Sequence, residues 1–194
     1  MNIFKKIKEI LFSPSLYYAE IKNEKGIKKA FYYSLLLSLF SLFMFIIEIF
    51  FRKSNVELFA QTIGFPANTV IGGLILFFFL FTVISGFIFS FFLFIWLWIF
   101  GGRHIYSQTY KLYIYSYTPV YLFGWIPLIG GASFIYFLIL LIIGTKQLYK
   151  FSPLKATLLY LIPLLIFLIL LVMLFFFGFL MLLSFTDTPL TSGF

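Results

Sequence analysis

No cysteine occurs among the 194 residues, so disulfides, thiolate nucleophiles and thiolate metal sites are all excluded. Histidine occurs once, as His104, which removes the His-Glu-x-x-His arrangement of zinc proteases. The chain has no Gly-x-Ser-x-Gly elbow, no pair of aspartates within an apolar run and no Gly-x-x-x-x-Gly-Lys loop. The commoner hydrolase and nucleotide-binding chemistries therefore lack their residues. The expectation is a protein that is not an enzyme and holds no metal and no cofactor. Charge is scarce as well: 10% of residues carry it, and Asp and Glu together number 6.

Apolar residues take up the room. They make 63% of the chain, against roughly 45–50% in soluble domains. A soluble fold of this length has too little interior for that surface, so lipid must be its solvent. The net charge of +8 could suggest nucleic acid, but the lysines stand at the ends of apolar runs. There they face anionic headgroups or fix orientation, and no nucleic-acid partner is expected. The first long apolar run starts near Ala30 with no Ala-x-Ala-like site after it, so no cleavable leader is expected. Lysine far outnumbers arginine, and Phe, Ile and Tyr abound, a bias that suggests an AT-rich prokaryotic genome.

The order of segments predicts an all-α polytopic membrane protein, a bundle of five transmembrane helices preceded by short interfacial amphipathic helices. Ile3, Phe4, Ile7, Ile10 and Leu11 share one helical face, with Lys5, Lys6 and Lys8 away from it, as in a helix lying in the membrane interface. Ser13 and Pro14 open a second short helix to about Lys22. The predicted spans are about 30–51, 69–100, 110–125, 132–148 and 153–183. Residues 1–29 form the cytosolic and interfacial segment, and 184–194 a short extracytoplasmic tail. The first span covers ~33 Å at ~1.5 Å per residue, enough for a ~30 Å hydrocarbon core. Glu48 lies near its far end, four residues before Arg52, in the favourable order for a helix ion pair. The connection 52–68 suggests a short helix and a turn, and the long second span must tilt, protrude or bend near Gly72 and Gly73. Thr82, Gly86 and Ser90 fall on one stripe at intervals of four, the spacing of close helix packing in lipid.

Pro119 crowds the carbonyl of Tyr115 and predicts a kink in the third span; Ser116 or Thr118 could satisfy the freed carbonyl. Pro163 should bend the fifth. All of the 14 Lys and Arg except Arg52 and Lys53 fall on one side of such a bundle. The N-terminus is therefore expected in the cytoplasm and the C-terminus outside, in the plasma membrane of the cell.

The stretch from Gly101 to Pro127 is where polar residues gather between oily segments. Arg103, His104, Gln108 and Lys111 lead into Tyr110, Tyr113, Tyr117 and Tyr121, which recur at helical spacings of three and four. One reading makes the tyrosines packing and interface residues, and His104 a loop residue. The other makes Arg103, His104, Gln108, Lys111, Tyr113, Tyr117 and Tyr121 a polar groove for a lipid headgroup or small solute, closed by the Pro119 kink.

A set of short motifs also carries a likeness. Leu11–Phe12–Ser13–Pro14 opens the chain; Gly101–Gly102, Tyr106 and Gln108 follow the second span. Tyr115–Ser116–Tyr117–Thr118–Pro119 leads to Trp125–Ile126–Pro127, then to Ile143–Gly144, Ser152 and Lys155–Ala156. In order and spacing they resemble the Yip1 family, in its short prokaryotic form, across nearly the whole chain. The resemblance implies a five-helix membrane domain over 30–183 with a cytosolic N-terminus. It implies for eukaryotic members a role in vesicle traffic through Rab-type GTPases and one another. The acidic Asp-Leu-Tyr-Gly-Pro stretch of those members is missing from this sequence, which counts against GTPase binding here. The leading expectation is a membrane adaptor with membrane lipids as partners, and a second copy or another membrane protein bound through the small-residue stripe and basic face. The alternative is a transporter, channel or lipid-moving protein that uses the kinked third helix.

Overall fold

A computed structural model describes residues 3–22, 24–103 and 105–186, with side chains to residue 181. The described residues are helical with no strand, and fall into two compact units, Met1–Ser152 and Pro153–Phe194.

In the first unit α1 spans Ile3–Phe12, α2 Pro14–Ile21, α3 Lys28–Phe51, α4 Lys53–Ile63 and α5 Ala67–Ile99. Then come α6 (Tyr106–Ser116), α7 (Thr118–Phe123) and α8 (Ile129–Tyr149). The second unit is a single helix, α9, Pro153–Thr186. It continues through Pro163, and its apolar stretch to Met181 has a mean hydropathy of 3.2. The predicted tail from residue 187 lies outside the described residues.

Four helices, α3, α5, α8 and α9, are long and apolar enough to cross a membrane. The 33 residues of α5 reach ~50 Å, and the helix runs without interruption through Gly72 and Gly73. Phe77, Phe81, Ile84 and Ile88 are all exposed along it. A ridge of that size is stable against lipid tails and not against water. Gly101, at φ 88°, ends the helix. The connection after α3 is α4, closed by Gly64 in the left-handed conformation at φ 74° ahead of Pro66.

The third predicted span differs in kind. Residues 110–125 do not make one long helix; α6 begins earlier, at Tyr106, and the chain breaks at Tyr117 into α7. The physical reason is the one Pro119 supplies, since its nitrogen donates nothing and its ring crowds the previous turn. Most of α6 is buried, because α3, α5 and α8 all pack on it. It is the hub of the first unit, and its composition of tyrosine, serine, threonine and one lysine makes that hub polar.

The two N-terminal helices fold back on this bundle, α1 against α2 and α7, and α2 against α8. The apolar face expected for α1 packs in part, with Ile10 buried and Ile3, Ile7 and Leu11 half-buried. Phe4 remains exposed, while Lys6 and Ile10, one turn apart, are the buried pair. Lys6 was expected to point away from the apolar side; aromatic rings and a hydroxyl on other helices draw it inward. Gly144 on α8 lets α2 and α6 approach closely. A Cβ there would run into Leu112 Cδ1 and come within 3.0 Å of the Tyr18 ring.

Candidate functional site

Two polar features flank α6 and α7. The first is a cleft of about 330 Å3 bounded by α3, α5, α7 and α8. Phe45, Phe78, Phe81 and Phe134 give it apolar walls; Ser41, Glu48, Thr82, Tyr117 and Tyr121 add polar atoms. Much of that polarity is already satisfied. Thr82 Oγ1 donates to the Phe78 carbonyl at 2.7 Å, Ser41 Oγ to the Tyr121 carbonyl at 2.8 Å. Glu48 pairs with Arg52 at 3.2 Å, as their spacing predicted. With its carboxylate paired, the cleft offers apolar walls and a few polar atoms, a lining that suits an amphiphile.

The tyrosine stripe is a ladder of rings more than a row of hydroxyls. Tyr113 stacks on Tyr117 at 5.6 Å, and Tyr117 meets Tyr121 edge-on at 4.9 Å. Phe137 of α8 sits edge-on to both Tyr113 and Tyr117. Such pairs prefer these offset and T-shaped arrangements. Tyr117 and Tyr121 reach the cleft and Tyr113 does not. Tyr110 turns to α5, where it stacks on Phe87 at 4.9 Å.

Of the basic residues expected beside them, the two described, Arg103 and Lys111, lie in different surroundings. Arg103 is exposed, and His104 lies outside the described residues. Gln108 is half-buried, with its Oε1 unpartnered among the described residues. Lys111 is the clearest departure: it is almost wholly buried, donating to the carbonyls of Ile21 (3.3 Å) and Glu24. An ammonium expected to face a ligand thus binds the carbonyl of Ile21, the last residue of α2, and that of Glu24 in the turn that follows. Gly86 and Ser90, the small residues of α5, also turn inward. Ser90 lies 3.1 Å from the Tyr106 hydroxyl, and a Cβ on Gly86 would come within 3.0 Å of Ile114. Their partner is α6 of the same chain. Pro119 is buried beside Thr118, whose hydroxyl donates to the Tyr115 carbonyl at 2.7 Å and lies 2.8 Å from the Tyr33 hydroxyl.

The second feature was not foreseen. On the other side of α6, Lys6 Nζ donates to the Tyr115 hydroxyl at 2.7 Å. That hydroxyl donates in turn to Glu24 Oε2 at 3.2 Å. The same ammonium lies 4.1 Å from the centre of the Tyr115 ring, 5.2 Å from Tyr33 and 5.9 Å from Tyr17. Burial lowers the Lys6 pKa to about 8, against the opposing pull of Glu24. Burial likewise pushes the Tyr17 phenol far up, with Tyr115 beside it. Beside this group Tyr18 and Ser116 share a hydrogen bond of 2.7 Å. Lys6 and Tyr115 are 109 residues apart, so no local pattern could have joined them. The one usable signal was a lysine one turn before Ile10 on an otherwise amphipathic helix.

No significant match exists among curated proteins or solved structures. The family model of the Yip1 domain matches residues 8–183, nearly the whole chain and every helix beyond the first turns of α1, and the chain therefore belongs to the Yip1 family.

Proposed function

We propose that this Yip1-family chain is a non-enzymatic organiser of the prokaryotic plasma membrane that acts by holding membrane lipid in the cleft between α3, α5, α7 and α8. The observation that carries this reading is the cleft itself, with four phenylalanine walls and two tyrosines at a helix break. Its shape and chemistry suit an acyl chain with a polar end near Trp125 and the Glu48–Arg52 pair. In this reading the chain crosses the membrane five times, the α6–α7 pair being the third crossing. The N-terminus is then cytoplasmic and the C-terminus outside, as the placement of lysines favours. A protein partner, or a second copy, would meet the lipid-facing sides of α5, since Gly86 and Ser90 are engaged with α6.

The test is a substitution that fills the cleft. Val120, one of its lining residues, becomes tryptophan, and lipid retained through purification in mild detergent is measured by native mass spectrometry. The parent should carry bound lipid that Val120→Trp loses, with helix content unchanged by circular dichroism. Equal lipid on both folded proteins would overturn the reading.

The interruption at Tyr117 favours a second reading, a transporter or lipid-moving protein, because broken helices flank many membrane binding sites. Reconstituted liposomes decide between the two. Lipid scrambling or ion flux that Tyr117→Phe abolishes would support movement; its absence leaves the organiser.

A further inference from the structure

A buried lysine ammonium enclosed by aromatic rings is an arrangement with a ligand already in it. Three tyrosines on three different elements, Tyr17 on α2, Tyr33 on α3 and Tyr115 on α6, turn ring faces or edges toward one cation. Tyr115 meets Tyr17 and Tyr33 edge-on, each at 5.3 Å, which fixes the angles between the walls. Glu24 closes the group with a carboxylate, its side chain only 11% exposed and balanced outside by Lys29 at 3.8 Å. Aromatic faces plus one acid are the chemistry that recognises organic ammonium ions. Every wall residue comes from α2, α3, α6 or the turn between α2 and α3. Only the occupant comes from α1.

Besides the Lys6 contacts, α1 is tied to the bundle by the Tyr136 hydroxyl, which donates to the Leu11 carbonyl, and by few buried side chains. Of the ten residues of α1, the two buried side chains are Lys6 and Ile10, and Phe4 and Phe12 stand 77% and 78% exposed. A free helix of ten residues is marginal in water, so α1 depends on its docking.

The geometry points to a binding site for a small alkylammonium group formed by Tyr17, Tyr33, Tyr115 and Glu24, which Lys6 fills from within the chain and which an outside ammonium enters when α1 lifts away. The ammonium could arrive on a lipid headgroup or on a free amine. Lys6, tethered beside the site, competes at an effective concentration that a dilute free ligand does not reach, so the intact protein should respond only to concentrated amine. This site lies apart from the cleft, and neither depends on the other.

The experiment uses full-length Lys6→Ala in detergent micelles, with ethylammonium chloride titrated against sodium chloride at equal ionic strength. The expected result is a rise in Tm of roughly 2–4 °C for Lys6→Ala, at amine concentrations that leave the parent unmoved. The rise should disappear when Tyr115→Ala is added. A second arm places Lys6→Ala in phosphatidylglycerol nanodiscs with and without phosphatidylethanolamine. A shift with that lipid identifies the headgroup as a source, and a shift with ethylammonium alone identifies the free amine. No shift in either arm, or an equal shift in the parent, overturns the proposal. Because Lys6→Ala could fail to fold, a parent carrying Ile10→Cys gives an independent reading, there being no other cysteine. Ile10 is fully buried, so maleimide reaches residue 10 only when α1 lifts. Concentrated ethylammonium should speed that labelling severalfold over sodium, and an unchanged rate would count against the site.

Discussion

Lys6 shows how far a single residue can depart from its local pattern. On the chain it is one of three lysines on the polar side of a short helix. In the fold it is 5% exposed, and its ammonium depends on Tyr115 and Glu24. Its pKa in the folded protein is about 8, below the ordinary 10.5. Between those values the unfolded chain binds more protons than the folded one, so stability rises with pH across that window. Below about pH 8 both states hold the proton and the penalty of burying the charge is present in full. The Tm of the parent relative to Lys6→Met should therefore increase between about pH 8 and about pH 10. Thermal unfolding of both proteins over that range checks it; a constant difference would show that Lys6 does not titrate where its surroundings place it. Lys111 teaches the same lesson: the sequence marks it as a cation near a helix start, and only the approach of α2 and the following turn makes it a donor to their carbonyls.

Helices were more legible than residues, with one exception. The long apolar runs predicted α3, α5, α8 and α9, because a run of ~20 apolar residues has few alternatives in lipid. Pro119 marked the weak point of the third, and Ser116 and Thr118 were both candidates to satisfy the Tyr115 carbonyl. Thr118 does so, while Ser116 is taken by Tyr18. Valine is nearly the same shape as threonine but has no hydroxyl. Thr118→Val should then leave a carbonyl and the Tyr33 hydroxyl short of a partner and cost about 1–3 kcal/mol. It should appear as a lower Tm that Thr118→Ser largely restores; an unchanged Tm would mean that water or another group takes over. The stripe of Thr82, Gly86 and Ser90 was visible as spacing, yet spacing does not name the partner helix. Ile114 and Tyr106 on α6 settle that for Gly86 and Ser90.

For the molecule as a whole, the number of crossings turns on α6 and α7. Together they run from Tyr106 to Phe123, ~27 Å if fully helical, close to a hydrocarbon thickness of ~30 Å. If they cross, the termini lie on opposite faces of the membrane; if they do not, the four long helices bring both termini to one face. Reporter fusions at each end, read in intact cells, should place the N-terminus inside and the C-terminus outside. Both ends on one side would reduce the count to four.

The sequence by itself determined that lipid is the solvent, where the long helices run and where the third is interrupted. Those outcomes follow from runs of apolar residues and a missing backbone donor, which act within a few turns of chain. Only the tertiary structure decided which polar groups meet. Lys6, Glu24, Tyr33 and Tyr115 come from four separate stretches, and their pairing depends on how α1 and α2 fold back over α6. Hydrogen bonds and ring contacts are short-ranged, so a side chain has no chemistry to declare until packing brings its partner within a few ångströms.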